Sequence, residues 1–280
     1  MSRGALLIAR NNSQVDYIKQ AIFCAERIKQ HLDIPVTLLT DNVNYLEKHY
    51  LDKVNTFDSV IQLPSDAAKS YKRYKDGVYK EYKLEWKNTS RNIAYDLTPY
   101  DETLLMDTDY ILANDVLKNC FDQDNDLMMY NLATDLAGWR DFSEFVHISP
   151  NGIDFYWATI VFFRKTKVNQ IFFDLVGHIK ENWHHYKTLY KILNPTFRND
   201  FAFSIAAHIM NGYMRNKFVT PLPGKKYVSL DNDVCVKIDN NKFHFLVQKE
   251  SQADYFPVTT KDQNVHIMNK FSLNRMIDES

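Results

Sequence analysis

Residues 101–115 read Asp101-Glu-Thr-Leu-Leu-Met-Asp107-Thr-Asp109-Tyr-Ile-Leu-Ala-Asn-Asp115. A short apolar strand from Thr103 to Met106 runs directly into two acids, Asp107 and Asp109. A parallel strand in an α/β sheet delivers its last side chains to the crevice at its carboxyl end, where ligands bind. Two carboxylates one residue apart at that place suit a hard divalent cation, and magnesium or manganese so held can bridge to a diphosphate.

The flanking sequence supplies the sheet that such a strand requires. Gly4–Ala9 reads as a buried strand. Asn12 and Ser13 are placed to cap the following helix, with Asp16 as the acid of a capping box, and Ile18, Ala21, Ile22, Ala25, Ile28 and Leu32 recur at helical spacing. Pro35–Asp41, Ser59–Leu63, Asp126–Tyr130 and Tyr156–Phe163 read as further strands. Asp115–Cys120, Val168–Leu193 and Asp200–Asn211 read as helices. Strands alternating with helices predict an α/β fold with a mainly parallel central sheet. The tail from Pro221 predicts a small β addition: Cys235–Ile238, a turn at Asp239–Lys242, then Phe243–Val247. Asp135–Ile153 has no clean period and is expected to be a loop near the site. A single domain is the economical organisation, with about residues 1–130 as one half and 131–280 as the other together with the C-terminal piece.

Composition excludes several classes. The 34 Lys and Arg nearly balance 35 Asp and Glu, a net charge of −1, so nothing draws the whole chain to nucleic acid or to a membrane surface. No apolar run reaches the roughly 20 residues of a bilayer span. Seven glycines without a GxGxxG or GxxxxGK[ST] pattern argue against dinucleotide and P-loop cradles. Cys24, Cys120 and Cys235 are scattered and odd in number, which fits neither a disulfide framework nor a zinc motif. With no signal-peptide pattern at Met1–Ala5, a cytoplasmic location is expected.

Other acidic pairs are weaker. Asp122-Gln-Asp124-Asn-Asp126 begins like an EF-hand loop, but Leu127 stands where glycine is needed and Ala133 where the bidentate glutamate belongs. Asp231 and Asp233 read as loop acids. His184-His185 reads as a polar helix face rather than a metal site. From Lys69 to Arg91 basic residues interleave with Tyr71, Tyr74, Tyr79, Tyr82 and Trp86. This stretch is either a solvated helix and loop or a surface for an anionic ligand, and in the second case replacing Lys72, Arg73 and Lys75 by alanine should weaken binding of that ligand and its salt dependence.

The phrase formed by a helix, Leu97-Thr-Pro-Tyr100 and Thr103-Leu-Leu-Met-Asp107-Thr-Asp109 resembles glycosyltransferases of the GT-A fold, in the group containing glycogenin and bacterial lipooligosaccharide galactosyltransferases. The likeness runs from about residue 4 to 212, with a last piece near His266. It implies a GT-A-like fold and a hexosyltransferase, retaining in stereochemistry, that takes a nucleotide-sugar, with UDP as the usual nucleotide, and Mn2+ or Mg2+. It implies Asp107, Asp109 and His266 as metal ligands, Asp107 also touching the ribose. It implies Lys270 and Arg91 at the donor phosphate, Ala9, Asn11 and Tyr17 along the base, and Asn199 and Asp200 beneath the reacting sugar. The chain departs from the group's tail motif: Asn269 precedes Lys270 and Phe271-Ser272 follows, which loosens the expected phosphate grip.

Each residue also has an ordinary role. His266 between Val265 and Ile267 fits a satisfied strand histidine, Asp200 a helix start, and Arg91 a surface charge. A sugar nucleotidyltransferase, a phosphohydrolase or a non-catalytic nucleotide-sugar or glycan-binding protein would share much of the pattern. The acceptor is left open among a glycan, a protein, a lipid-linked sugar and nucleic acid.

Overall fold

The computed structural model describes residues 1–65, 70–148, 152–194, 196–214, 218–249 and 254–279. In chain order the strands and helices begin β1 (Arg3–Ala9), α1 (Tyr17–Leu32), β2 (Val36–Thr40), α2 (Val43–His49), β3 (Ser59–Gln62), β4 (Tyr71–Lys75) and β5 (Glu81–Glu85). There follow α3 (Ala94–Leu97), β6 (Glu102–Met106), β7 (Tyr110–Ile111), β8 (Leu127–Tyr130), β9 (Thr134–Asp135), β10 (Trp157–Arg164), α4 (Lys167–Glu181), α5 (Trp183–Leu189) and α6 (Asn199–Met210). The chain ends with β11 (Thr220–Pro221), β12 (Tyr227–Ser229), β13 (Val234–Asp239), β14 (Lys242–Gln248), β15 (Tyr255–Lys261), β16 (Val265–Ile267) and α7 (Lys270–Asp278).

Seven strands form the central sheet in the order β11-β8-β10-β6-β1-β2-β3. Every neighbouring pair is parallel except those made by β10, which runs antiparallel to both β6 and β8. This is the mainly parallel α/β sheet that the alternating pattern predicts. Its central strands are buried on both faces, which is why β1, β6 and β10 read as continuous apolar runs instead of alternating ones. The Leu97–Tyr100 phrase has a packing reason. Tyr100 lies flat against the backbone of Gly4, where a Cβ would come within 2.3 Å of the ring, and its hydroxyl bonds Thr37 Oγ1 at 2.8 Å. Glycine at position 4 thus lets the turn before β6 close over β1.

A four-stranded sheet, β7-β16-β12-β9, joins the segment after Asp109 to the C-terminal part of the chain. The C-terminal β addition is an antiparallel sheet, β13-β14-β15, one strand larger than the hairpin read from the sequence. Helix α7 packs against β13 and α1. No described helix is long and apolar enough to cross a membrane.

Several local expectations change. The N-cap of α1 is Asp16 itself, whose carboxylate accepts from Lys19 N–H, while Asn12 closes a turn by accepting from Gln14 and Val15 N–H. The stretch 168–193 is two helices broken at Asn182. The described part of the basic aromatic stretch is neither helix nor loop alone: it contains the β4–β5 hairpin, and Lys69 lies outside the described residues. The segment 135–153, described except for 149–151, is largely irregular as expected. It is anchored by Arg140, whose guanidinium bonds Asp135 at 2.7 Å and both carboxylate oxygens of Asp233 at 2.8 Å.

Candidate active site

The three sequence-predicted metal ligands converge. Asp107 and Asp109 follow directly on β6, the strand beside β1 in the middle of the sheet. The short ladder between β7 and β16 pairs His266 with Tyr110, and Ile267 N–H donates to the Asp109 carbonyl at 2.9 Å. Those backbone bonds bring a distant histidine to the acidic pair. One ligand atom from each of Asp107, Asp109 and His266 lies within 4.8 Å of the others.

The residues present fit a hard divalent cation. Oxygen ligands of such ions stand at about 2.0–2.6 Å, which places ligand pairs up to roughly 4–5 Å apart. Two carboxylates and one imidazole form an oxygen-rich donor set suited to Mg2+ or Mn2+. Burial, then the neighbouring Lys226, push His266 down to about 4, so the ring is neutral, the form that ligates metals. Burial works to raise Asp109, but Lys270 and His266 overcome it and hold its carboxyl well below the usual carboxylate range. Asp107 goes the other way: burial pushes it up to about 6 against the pull of Arg91, and the charge on Asp109 adds to the rise.

Cations surround the acids. Arg91, only 2% exposed, pairs with Asp107 and reaches the Thr159 carbonyl, so it is no surface charge. Lys270, the first residue of α7, pairs with Asp109. Asn269 supplies the helix cap by accepting from Ser272 N–H, which gives the departure from the group's tail motif a structural role. With both carboxylates balanced in this way, a divalent cation and a diphosphate can enter together as a nearly neutral pair.

These groups open into a cleft of about 920 Å³. Its lining includes Tyr17, Arg91, Asp107, Asp109, Asn199, Asp200, His266 and Lys270. The structure therefore brings together most of the sequence-predicted site, and two residues stand apart. Ala9 is fully buried at the end of β1, and Asn11 spends its side chain on Asp16 and on Ile18 N–H; neither is among the lining residues. Tyr17 does line the cleft and bonds Tyr74 across it, hydroxyl to hydroxyl at 3.2 Å. The loop 135–153 contributes none of the described lining.

Asn199 and Asp200 open α6. Asp200 accepts from Ala158 N–H at 2.9 Å and from Arg198 at 2.7 Å, while Asn199 donates to the Asn88 carbonyl at 3.0 Å. Burial tends to raise Asp200, but Arg198 and the Ala158 N–H more than offset it, so its carboxyl is held below its ordinary value and stays ionised.

Sequence reasoning missed two groups. Arg198 stands immediately before the Asn199-Asp200 pair, a signal available in the chain. Lys226 precedes β12, is 1% exposed, and places Nζ 2.9 Å from His266 Nδ1. Burial pushes it down to about 7. Nothing in its sequence context distinguishes it from the other lysines. It is a buried partner that orients the imidazole through the ring nitrogen facing away from Asp109.

No family model matches the chain, and no curated protein matches it. Solved structures do. Glycosyltransferase GlyE of Streptococcus pneumoniae TIGR4 is 13% identical over 79% of this chain and 45% of its own, with a TM-score of 0.44. Galactosyltransferase LgtC, in complex with donor and acceptor sugar analogues, is 12% identical over 78% of this chain and 72% of its own, with a TM-score of 0.47. The bifunctional IspDF from Campylobacter jejuni is 13% identical over 80% and 50%, with a TM-score of 0.40. The chain thus spans less than half of GlyE.

Proposed function

We propose that the protein is a metal-dependent glycosyltransferase that moves a hexose from a UDP-sugar to an acceptor nucleophile. One observation carries this reading: Asp107, Asp109 and His266 meet at the carboxyl end of a central strand, within a cleft that also holds Lys270, Arg91 and Asp200. A cation would be held by Asp107, Asp109 and His266, and when bound it would supply Lewis-acid stabilisation of diphosphate charge.

In the reaction the bond between the anomeric carbon and the β-phosphate oxygen breaks, and its electron pair leaves with UDP. A bond forms from the acceptor oxygen to the anomeric carbon, and the acceptor's proton passes to the departing β-phosphate oxygen of UDP. Lys270 and Arg91 bring positive charge to the side of the cleft where the diphosphate charge grows. Asp200, kept ionised beside Arg198, is the group suited to a carbon that becomes cation-like, and Asn199 flanks it. A carboxyl held below its ordinary value is ionised at neutral pH and is poorly suited to proton donation, which favours electrostatic support of the sugar. Retention of configuration is part of the proposal.

A thermal-shift series with UDP-hexoses, with and without Mn2+, tests it. UDP or a UDP-sugar should raise the melting temperature only when metal is present, and Asp109→Ala should abolish the shift. Turnover should release UDP. Release of sugar 1-phosphate would instead mark a nucleotidyltransferase or phosphohydrolase, and an undiminished shift in the variant would remove the metal site.

A further inference from the structure

The β4–β5 hairpin forms one wall of the cleft and carries an electrostatic defect. Tyr71, Arg73 and Lys75 alternate with Lys72 and Tyr74 along β4, and the register pairs Arg73 directly with Lys83. Like charges directly opposite one another on a sheet face destabilise it. The Arg73 side chain is 81% exposed, and its ion pair with Glu81 is long, at 3.7 Å. Lys83 is exposed too, with Nζ 5.7 Å from the ring centre of Tyr71. Both cations line the cleft, whereas Glu81 and Glu85 do not.

The rest of the cleft sharpens the contrast. Its other cations are mostly matched: Arg91 with Asp107, Lys270 with Asp109 and Arg198 with Asp200. Lys72 sits with Nζ 3.0 Å from the ring centre of Trp86, a cation–π contact in the same wall. Tyr71, 47% exposed, offers a second ring at the rim. A pair of cations held across from one another beside the exposed ring of Tyr71 is a site for an anion attached to a ring.

We infer that Arg73 and Lys83 form an acceptor subsite for a phosphate group, and that the acceptor is a phosphorylated saccharide. The inference rests on the glycosyltransferase reading and names its acceptor class. A phosphate between the two side chains turns their repulsion into two charge-assisted hydrogen bonds, while Tyr71, on the same face of the hairpin, presents its ring to the sugar. The chain's net charge of −1, and the fact that the cleft-lining cations without a close carboxylate all belong to this hairpin, favour a compact phosphorylated sugar over a polynucleotide, which needs basic residues along an extended track.

Calorimetric titration of glucose 6-phosphate and of glucose, with Mn2+ and UDP present to fill the donor side, tests the inference. Glucose 6-phosphate should bind at least about tenfold more tightly than glucose, as expected for hydrogen bonds to charged groups. Arg73→Ala with Lys83→Ala should erase that difference and leave the affinity for Mn2+ and UDP unchanged. Lys83→Glu serves as the folding control, because it places an acid opposite Arg73: phosphate preference should vanish while the melting temperature holds or rises. Equal binding of the two sugars overturns the inference, as does preference surviving in the double variant. Tighter binding of a short oligothymidylate than of glucose 6-phosphate overturns it in favour of nucleic acid. If Mn2+ and UDP fail to bind at all, the donor reading falls, and the same two sugars titrated without UDP still decide whether Arg73 and Lys83 grip phosphate.

Discussion

His266 Nε2 stands 3.2 Å from Asp109 Oδ2, and the bond from Ile267 N–H to the Asp109 carbonyl, 2.9 Å long, holds the two residues in that relation. The imidazole therefore does not depend on a flexible tail for its position. It is part of the β7–β16 ladder, and Lys226 fixes the other ring nitrogen. Because the backbone does the positioning, removing the side chain leaves the β7–β16 ladder in place.

His266→Ala should thus separate metal binding from folding. Manganese affinity, read by electron paramagnetic resonance of the free ion, should fall by more than the roughly 10–100-fold typical of losing an outer-shell partner. The protein should still unfold cooperatively in urea, with stability lowered by about 1–3 kcal/mol because the buried Lys226 Nζ loses its partner. Unchanged manganese affinity would place the ion elsewhere.

Asp200 tests the division between donor capture and chemistry. Its carboxylate is tied to Ala158 N–H and Arg198, not to the cluster formed by Asp107, Asp109 and His266. Asp200→Asn keeps the shape and removes the charge. It should lower kcat by about 10²–10³, the scale of losing one preorganised electrostatic contact, while the metal-dependent shift by UDP persists. Loss of the UDP shift together with kcat would make the residue a binding group instead.

The legible parts of the chain are those where burial imposes one repeating pattern. Trp157–Phe163 is buried throughout and could only be read as a central strand, and Met106-Asp107 marks where such a strand meets the cleft. The hairpin Tyr71–Glu85 was illegible as strands because its inward face uses Lys72, Tyr74 and Tyr82, so polar and apolar residues do not alternate cleanly. Helix α7 was missed for a similar reason: it is short, and its start is announced only by Asn269. The closeness of His266 to Asp109 depends on a non-local ladder, which no local periodicity reports; the family resemblance supplied it. Lys226 carried no signal of any kind, since only tertiary burial makes one lysine unlike another.

The loop 135–153 owes its anchorage to Arg140, 9% exposed, between the buried Asp135 and Asp233. Asp233 also accepts from the Leu230 and Gln248 N–H groups, so one carboxylate joins the loop, the turn before β13 and the end of β14. Arg140→Ala leaves two buried carboxylates without their counter-charge. It should cost about 3–5 kcal/mol in urea unfolding, as expected when one partner of a buried ion network is removed. A loss below about 1 kcal/mol would show that water reaches the acids.

Glu102 gives a prediction in pH. It lies on β6 between Arg3 of β1 and Arg164 of β10, in register with both, and bonds them at 2.6 and 2.8 Å. Burial tends to raise its pKa, but the two arginines overcome that and hold it below the ordinary value of 4.5. A carboxyl depressed in the folded state adds stability that is fully present above its unfolded value and is lost as pH falls through the folded one. Glu102→Gln should therefore cost about 1–3 kcal/mol at neutral pH, the scale of hydrogen bonds to charged groups. The gap between parent and variant should narrow steadily below pH 4.5. Urea midpoints measured for both proteins across that range make the comparison, and because other acids titrate alike in the two, only the difference belongs to Glu102. A gap that stayed constant into acid would mean that the strand pairing, rather than the charge, carries the contribution.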